Sequence, residues 1–330
     1  MKNIFRMNIV MAAIAALVMV GCNTNDDPIT PTDEKPSAPS GTMVQSVSGT
    51  SIRYKWTPPT NTSNVTGYVL MAIEKVAGGT GAKREVIVSG SSSSTGVVGG
   101  LTEGKIYECM VHALNDTTRS DASNEIDWAP AQRGSGTFKL YSSLNATEGS
   151  GLGIFRTGGP AVLKIANGGE WDVCFDDKFN PTDPRIGSPG QSAYVDNAYK
   201  FPNGQSSKVV YTGRTYTGIN SLDEIYESEA LNTNPVPTTE LMYQLSSIGG
   251  STGWGYALAW KDESTTPVSY WYGKLIVKRI GGTFIQGTGS GANISVDISY
   301  QNVKDLPYAI KQRIENHIRF ETSRREAQAR

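Results

Sequence analysis

The sequence predicts an all-β protein: a small N-terminal sandwich, then a larger β-sandwich or jelly-roll-like domain, then a C-terminal helix. The chain has 330 residues, enough for two domains, and 38% are hydrophobic, which suits globular domains rather than disorder. Its 36 glycines accompany many Ser, Thr and Tyr residues, a composition typical of strands joined by turns. Apolar residues also alternate with polar ones in short segments, as half-buried strands require.

Residues 1–21 are predicted to be a signal peptide. Lys2 and Arg6 lead into an apolar run, Ile9 to Val20, which is shorter than the roughly 20 residues of a membrane span and fits a cleaved signal. The run ends in Met19-Val20-Gly21-Cys22, which resembles the lipobox of bacterial lipoproteins. The resemblance implies that Cys22 is diacylated and becomes the mature N-terminus, so that lipid anchors the protein to the outer membrane.

Residues 22–36 are predicted to be a flexible linker, because this proline- and threonine-containing segment has almost no large apolar side chain to bury. Its acidic pair, Asp26-Asp27, resembles the surface-export signal of some Gram-negative lipoproteins, which implies placement on the cell surface. The net charge of −1 argues against a general attraction to nucleic acid or anionic membrane. The expected membrane contact is therefore the lipid.

Residues 37–132 carry the pattern of a small β-sandwich. Ile52, Tyr54 and Trp56 recur with period two, as one face of a strand requires, and Pro58-Pro59 ends the strand because proline cannot donate to the ladder. Together with an opening Pro-Ser-Ala-Pro and a later Gly-Tyr pair, this stretch resembles a fibronectin type III domain. The resemblance implies structural roles for four residues: Trp56, Tyr68, Leu101 and Tyr107. It also implies a tyrosine corner, in which the Tyr107 phenol hydrogen-bonds to backbone at a sandwich turn.

The three cysteines do not indicate a disulfide framework. Cys22 is assigned to lipid, which leaves Cys109 and Cys174 in different predicted domains. Two buried thiols that act as small apolar residues are expected, rather than a disulfide between domains.

Residues 133–303 are predicted to form the β-rich binding domain. Eight candidate strands are read from the pattern: Thr137–Ser142, Ala161–Ala166, Glu170–Phe175, Lys208–Thr212, Met242–Leu245, Gly253–Trp260, Val268–Lys278 and Ile294–Tyr300. We expect Ser221–Leu231 to be a short acidic helix and the glycine run Gly149–Gly153 to be a turn. Over residues 304–330, Asp305 as cap and Pro307 in the first turn predict a C-terminal helix that packs on the β domain.

Large aromatic side chains cluster in two neighbouring candidate strands of this domain. Trp254 lies in the first, and Tyr270, Trp271 and Tyr272 begin the second. They could fill the core, because aromatic rings bury a large apolar area. Alternatively they could form a platform on which a sugar, haem or peptide stacks. Because aromatic residues fall on both faces of the second strand, at least one ring is expected to face outward, and these four residues are the predicted ligand contacts.

Carboxylates cluster in the same domain, at five positions: Glu170, Asp172, Asp176, Asp177 and Asp183. Solvated turn residues are the favoured interpretation. Two others stay open, a Ca²⁺ site, which needs several oxygen ligands, and paired carboxylates for glycoside hydrolysis, which must stand at a fixed separation across a cleft. Histidines and cysteines are too few for zinc, and no metal or cofactor is predicted.

Two short segments resemble the HmuY-like lipoproteins, a family of haem-binding surface proteins. They are Trp171-Asp-Val-Cys-Phe175 and Arg185-Ile-Gly-Ser-Pro-Gly190. The family binds haem iron through pairs of histidines or methionines. This domain has Met242 and no histidine before His317, so those ligands cannot be carried over.

The sequence therefore predicts a lipid-anchored binding protein of the outer membrane, in which the fibronectin-like module lifts the second domain away from the membrane. That second domain is expected to recognise a glycan or a protein without catalysis. Haem or small-cofactor capture is the first alternative, and a glycoside hydrolase-like enzyme is the second.

Overall fold

The structure, a computed structural model, describes residues 34–156, 158–164, 171–177, 180, 182–188, 210–226, 239–240, 242–247, 253–262, 269–304 and 306. In these ranges the regular elements are β-strands and single-turn 3-10 helices. The predicted all-β fold class is thereby confirmed. Beyond Leu306, the predicted C-terminal helix lies outside the described residues, as do the signal peptide and most of the linker.

The N-terminal sandwich is built from two antiparallel sheets. Its strands are β1 (Ser40–Ser48), β2 (Ser51–Thr57), β3 (Gly67–Val76), β4 (Gly79–Ser89), β5 (Thr95–Val98), β6 (Tyr107–Asn115), β7 (Thr118–Arg119) and β8 (Ile126–Trp128). One sheet has the order β1-β2-β5 and the other the order β4-β3-β6-β7, with β8 also paired to β6. The alternating residues of β2 are buried between the sheets, as their period of two predicts.

The C-terminal β domain also consists of two antiparallel sheets. Its strands are β9 (Gln132–Arg133), β10 (Phe138–Tyr141), β11 (Gly151–Gly153), β12 (Ala161–Leu163), β13 (Val173–Asp176), β14 (Arg185–Gly187), β15 (Val210–Ile219), β16 (Thr239–Glu240), β17 (Met242–Gln244), β18 (Gly253–Asp262), β19 (Ser269–Val277) and β20 (Asn293–Tyr300). The larger sheet has the order β10-β20-β19-β18-β15-β16, with β9 added on β20, and the smaller has the order β12-β11-β13-β14-β17.

Apolar side chains from both of these sheets form the core of the C-terminal β domain. From the smaller sheet come Leu152 and Phe175, and from the larger sheet come Leu275 and Val277 on β19, all of them fully buried. All eight candidate strands of the sequence analysis overlap observed strands.

The two domains share a second apolar cluster. Trp128 and Ala129, at the end of the N-terminal sandwich, belong to the same cluster as Tyr272 and Ile276 of β19. Between these two residues on β19, the buried Lys274 places its Nζ 4.8 Å from the centre of the Trp128 ring. One face of β19 therefore packs in its own domain, and the other packs against the sandwich.

Backbone and side-chain hydrogen bonds reinforce this junction. The strand β9, which follows the sandwich directly, pairs with Ser299 and Tyr300 of β20. Gln301 Nε2 donates to the Ala129 carbonyl at 3.2 Å, and Gln45 Nε2 of β1 donates to the Asp223 carbonyl at 3.0 Å. Because these contacts involve β1 as well as the end of the sandwich, the N-terminal module is a packing partner of the second domain and not only a connection to it.

Two local expectations were wrong. Instead of an acidic helix starting at Ser221, the described residues form one 3-10 turn, Leu222–Glu224, with the Ser221 side chain accepting from the Asp223 amide. Instead of a turn, Gly151–Gly153 is a buried strand. A Cβ on Gly151 would lie 2.7 Å from Cγ of Trp171, so glycine is needed there for close packing rather than for turning.

Both described cysteines, Cys109 and Cys174, are free and buried, as expected. Burial raises the pKa of the Cys109 thiol to about 12, which keeps it protonated and unreactive. No helix among the described residues is long and apolar enough to cross a membrane.

Candidate functional site

Tyr272, one of the predicted ligand contacts, is a packing residue. It is only 2% exposed and lies in the cluster shared by the two domains. Its position follows from the alternation of β19, since Tyr272 and Ile276 lie on the face turned toward the N-terminal sandwich. The sequence pattern could not reveal this, because the surface that covers Tyr272 comes from a distant part of the chain.

Trp271 lies on the opposite face of β19, at the end of the domain core. Leu275 and Val277 on this face are fully buried, whereas Trp271 is only partly buried. Its ring lies 6.0 Å from that of Phe155 at an interplanar angle of 31°, and Lys304 Nζ lies 5.4 Å from its centre. The core of the domain therefore ends in a partly accessible aromatic ring that neighbouring side chains hold in place.

The backbone of the other two predicted contacts is described, but their side chains are not. Trp254 lies opposite Val277 in the β18–β19 register, and Tyr270 lies opposite Lys261. The same register places Trp260 opposite Trp271. These assignments to ligand binding stay predictions.

Four residues were predicted to stabilise the N-terminal sandwich, and all four are buried there: Trp56, Tyr68, Leu101 and Tyr107. The Tyr107 phenol oxygen accepts a hydrogen bond from the Thr102 amide at 2.8 Å, and the Leu101 amide donates to the Thr50 carbonyl. The rings of Trp56 and Tyr68 lie 5.1 Å apart. These contacts have the geometry expected of a tyrosine corner at a sandwich turn.

The expectation that the acidic cluster consists of solvated turn residues is wrong for two of its members. Asp172 and Asp176 are both 0% exposed. Asp172 Oδ2 accepts from the backbone amides of Ile154 and Phe155, and Asp176 Oδ2 lies 3.1 Å from Arg185 Nε. Asp172 thus connects the start of β13 to the end of β11, and Asp176 connects β13 to β14. These two carboxylates therefore have structural roles.

The segments that resemble HmuY-like proteins pair as neighbouring strands. Phe175 of β13 lies opposite Ile186 of β14, and both side chains are fully buried. Trp171, just before β13, is also buried. Among the described residues, no group of three or more His, Cys, Asp or Glu side chains could hold a metal ion.

A cleft that the sequence analysis did not identify lies at one edge of the C-terminal β domain. Its volume is about 430 Å³. Three segments line it: Thr182–Pro184 before β14, Leu245 and Ser246 after β17, and Arg279 with Gly282–Ile285 in the β19–β20 connection. The turn-forming residues of Asn180–Asp183 and the pair Gly281-Gly282 mark two of these loops in the sequence. Their convergence in space could not be read from it.

Comparison with known proteins identifies one part of the chain. The model of the family "Fibronectin type III domain" matches residues 37–141. The chain is similar to the FN5 domain of Drosophila Lar, at 25% identity over 29% of this chain and 96% of that one, with a TM-score of 0.25. It is also similar to an fn3 domain of the human collagen alpha-1(XX) chain, at 27% identity over 31% and 91% of the two chains, with a TM-score of 0.25. No curated protein matches the chain. The family model thus identifies a fibronectin type III domain at residues 37–141, whose sandwich consists of β1 to β8, and the match runs on into β9 and β10 of the neighbouring sheet.

Proposed function

We propose that this chain is a lipid-anchored binding protein of the outer membrane, whose C-terminal β domain recognises a glycan or a protein without catalysis. The observation that supports this proposal best is the partly exposed Trp271, which lies on the same face of β19 as the buried core residues Leu275 and Val277. The Trp271 ring lies 6.0 Å from that of Phe155 and 5.4 Å from Lys304 Nζ, and its accessible part is an apolar surface on which a sugar ring or an aromatic side chain can pack.

The fibronectin type III domain supports a binding role, because such modules serve as spacers or adhesive units. The fold alone does not name a ligand. In this chain the module also buries one face of β19 through Tyr272, which fixes the strand that carries Trp271. A ligand contact on a strand supported from behind is more rigid than one on a loop.

Membrane anchoring rests on Cys22 and the segment before it. Residues 23–33 separate this cysteine from the first described residue, Glu34, whose carbonyl accepts from Asn64 and Asn115 of the sandwich. A chain of eleven residues spans at most roughly 36–40 Å, which is the upper limit on the distance between an acylated Cys22 and Glu34.

Trp271→Ala tests the binding proposal. The full chain in detergent would be screened against immobilised purified glycans and extracellular proteins, and the best ligand titrated against both forms. We expect at least a tenfold loss of affinity, with little change in the melting temperature. Tyr141→Ala, a partly buried ring on β10, is the matched control and should bind normally. If Trp271→Ala binds the ligand as well as the wild type does, or if it fails to fold, Trp271 is not a ligand contact.

The anchoring proposal has its own test. Metabolic labelling with a clickable palmitate analogue should label the wild-type protein in bacterial cells, and Cys22→Ala should abolish the label and release the protein from membranes. Protease treatment of intact cells then separates surface exposure from the inner leaflet. Equal labelling of the Cys22→Ala form would disprove acylation at this residue.

Two alternatives have less support. Haem capture rests on the HmuY-like segments, but residues 133–303 contain no histidine and only one methionine, Met242. A hydrolase would need accessible paired carboxylates, whereas Asp172 and Asp176 are fully buried and bonded to structural partners.

A further inference from the structure

The cleft at the edge of the C-terminal β domain has braced walls. On one side, the Asn180 carbonyl accepts from the Asp183 amide at 3.0 Å, and the Leu245 amide donates to the Pro184 carbonyl at 3.0 Å. On the other side, Gln286 Nε2 donates to the carbonyls of Ile280 and Thr283, at 3.1 and 3.0 Å. Ligand pockets are usually preformed in this way, and about 430 Å³ lies within their common range of about 300–1,000 Å³.

The floor of the cleft is apolar and its rim is polar. Leu245 and Phe284 are buried members of the domain core. The rim carries the exposed residues Thr182, Ser246 and Thr283. A ligand that fits must therefore present one apolar surface and a border of hydrogen-bonding groups.

The rim also carries two opposite charges. The Arg279 guanidinium is stacked on Phe284, with its Cζ atom 4.3 Å from the ring centre. Asp183 contributes to the opposite wall, and its Oδ1 atom is buried with no hydrogen-bond partner in the described part of the chain. A buried carboxylate oxygen without a partner is costly, and it requires a donor.

These charges select the class of ligand. A carboxylate only accepts hydrogen bonds and a guanidinium only donates them, whereas a hydroxyl group does both. A ligand with a single charge would be attracted by one of these two residues and repelled by the other, so the pair favours neither sign. Neutral neighbouring hydroxyl groups on a ring with an apolar face satisfy both residues and the floor.

We propose that this cleft binds a neutral saccharide, with sugar hydroxyl groups bonded to Asp183 and Arg279 and the apolar face of the ring on Leu245 and Phe284. This saccharide site is separate from the surface formed by Trp271, which does not line the cleft, so the inference goes beyond the proposed function and adds a second binding site.

The test is a calorimetric titration of the full chain in detergent. The neutral probes are galactose, N-acetylglucosamine and maltose, and the charged comparisons are N-acetylneuraminic acid and glucosamine. We expect saturable binding of at least one neutral probe, and at least a tenfold loss of affinity in Asp183→Asn and in Arg279→Gln. Glu148→Gln, an exposed acid in the β10–β11 loop, is the control and should bind normally.

A second readout covers variants that fail to fold. Hydrogen exchange of the wild-type protein should slow in residues 279–286 when the neutral probe is saturating. Absence of any saccharide binding, preference for a charged probe, or normal binding by Asp183→Asn would overturn the inference. Sugar binding lost in Trp271→Ala but kept in Asp183→Asn would also overturn it, while leaving the proposed function intact. If the chain binds a protein but none of the sugars, the inference about the cleft is likewise wrong and the proposed function still stands.

Discussion

Asp223 of the C-terminal β domain lies 2.8 Å from Arg53 of the fibronectin type III domain, measured from Oδ2 to Nη1. Its other carboxylate oxygen lies 2.8 Å from Nη1 of Arg133. Burial raises the pKa of Asp223, but the hydrogen bond from Arg53 and the charge of Arg133 outweigh burial and hold the pKa below its ordinary value. The carboxylate is therefore charged in the folded protein and links the 3-10 turn at Leu222–Glu224 to β2.

We expect Asp223→Ala to lower the free energy of unfolding by about 1 kcal/mol, because partly exposed ion pairs contribute little each. High salt should shrink the difference from wild type. The pKa of Asp223 is lower in the folded protein than in the unfolded chain, where an aspartate has a pKa of about 3.9. The charged carboxylate therefore stabilises the fold at neutral pH, and this stabilisation is lost as the pH falls through the folded pKa. Urea unfolding at pH 7 and pH 2, in low and high salt, measures both effects.

Glu85→Gln is the matched control for that experiment. Arg119 and Lys83 lower the pKa of Glu85 to about 2, and this ion-pair cluster lies within the fibronectin type III domain. The control should lose a similar amount of stability but leave hydrogen exchange in residues 219–226 unchanged. Asp223→Ala, in contrast, should speed hydrogen exchange in residues 219–226. Faster exchange in these residues in Glu85→Gln, or an unchanged rate in Asp223→Ala, would contradict a role for Asp223 at the junction.

Tyr272→Ala should be far more damaging than loss of Asp223. Truncating a large buried aromatic side chain costs about 3–5 kcal/mol, and here the cavity would open between the two domains. Calorimetry should show a lower melting temperature and a broader or split transition. Tyr272→Phe keeps the ring and should unfold almost as the wild type does. A single sharp transition at the wild-type temperature in Tyr272→Ala would show that the ring does not couple the domains.

Tyr107→Phe should destabilise the fibronectin type III domain by about 1–3 kcal/mol. The change removes the phenol that accepts from the Thr102 amide at 2.8 Å, and it leaves that amide without its partner. Tyr68→Phe is the comparison, because its hydroxyl donates to the Ser91 carbonyl at 2.6 Å, outside the tyrosine corner. Guanidinium unfolding followed by tryptophan fluorescence compares the two, and an equal loss in both would argue against a special role for the corner.

Asp176→Ala should lower the free energy of unfolding by about 3–5 kcal/mol, since it leaves Arg185 in a buried site without its carboxylate. Asp183→Asn, at the rim of the cleft, should change stability little. The two variants thus separate a structural carboxylate from a proposed ligand contact. Thermal unfolding of both is the measurement, and equal stability of the Asp176→Ala form would show that the ion pair is dispensable.

Haem titration of the full chain should produce no saturable shift of the Soret band. The expectation follows from the missing ligands, since Met242 is the only methionine or histidine between residues 133 and 303. Bovine serum albumin serves as a positive control for the assay. A saturable shift at micromolar haem would revive the HmuY-like alternative, and Met242→Leu would then identify the ligand.

The sequence was informative wherever the determining contacts are local. Alternation located the candidate strands, because period two is the direct signature of a half-buried strand. The fibronectin-like residues Trp56 and Tyr107 were predicted as structural, and both are buried. Gly151 was misread because a glycine in a turn and one beneath a tryptophan look alike in a single sequence.

The sequence was uninformative wherever distant segments meet. Asp172 is fully buried because the amides of Ile154 and Phe155 point at it, and nothing near Asp172 in the chain signals this. The role of Tyr272 depends on Trp128, more than a hundred residues earlier. The cleft is likewise formed by three loops that are remote in sequence.

The pairing of β9 with β20 has a mechanical consequence. The peptide that leaves the sandwich enters the second domain's sheet at once, through Arg133 opposite Ser299 and the Gly134 amide bonded to the Ile298 carbonyl. If the chain is tethered at its N-terminal end and a ligand is held by the C-terminal domain, tension between them passes through these bonds and through the apolar contact behind Tyr272. A pulling force on the ligand would have to break both the β9–β20 hydrogen bonds and this apolar contact before the two domains could separate. We therefore expect the two domains to resist force together rather than to separate at a flexible hinge.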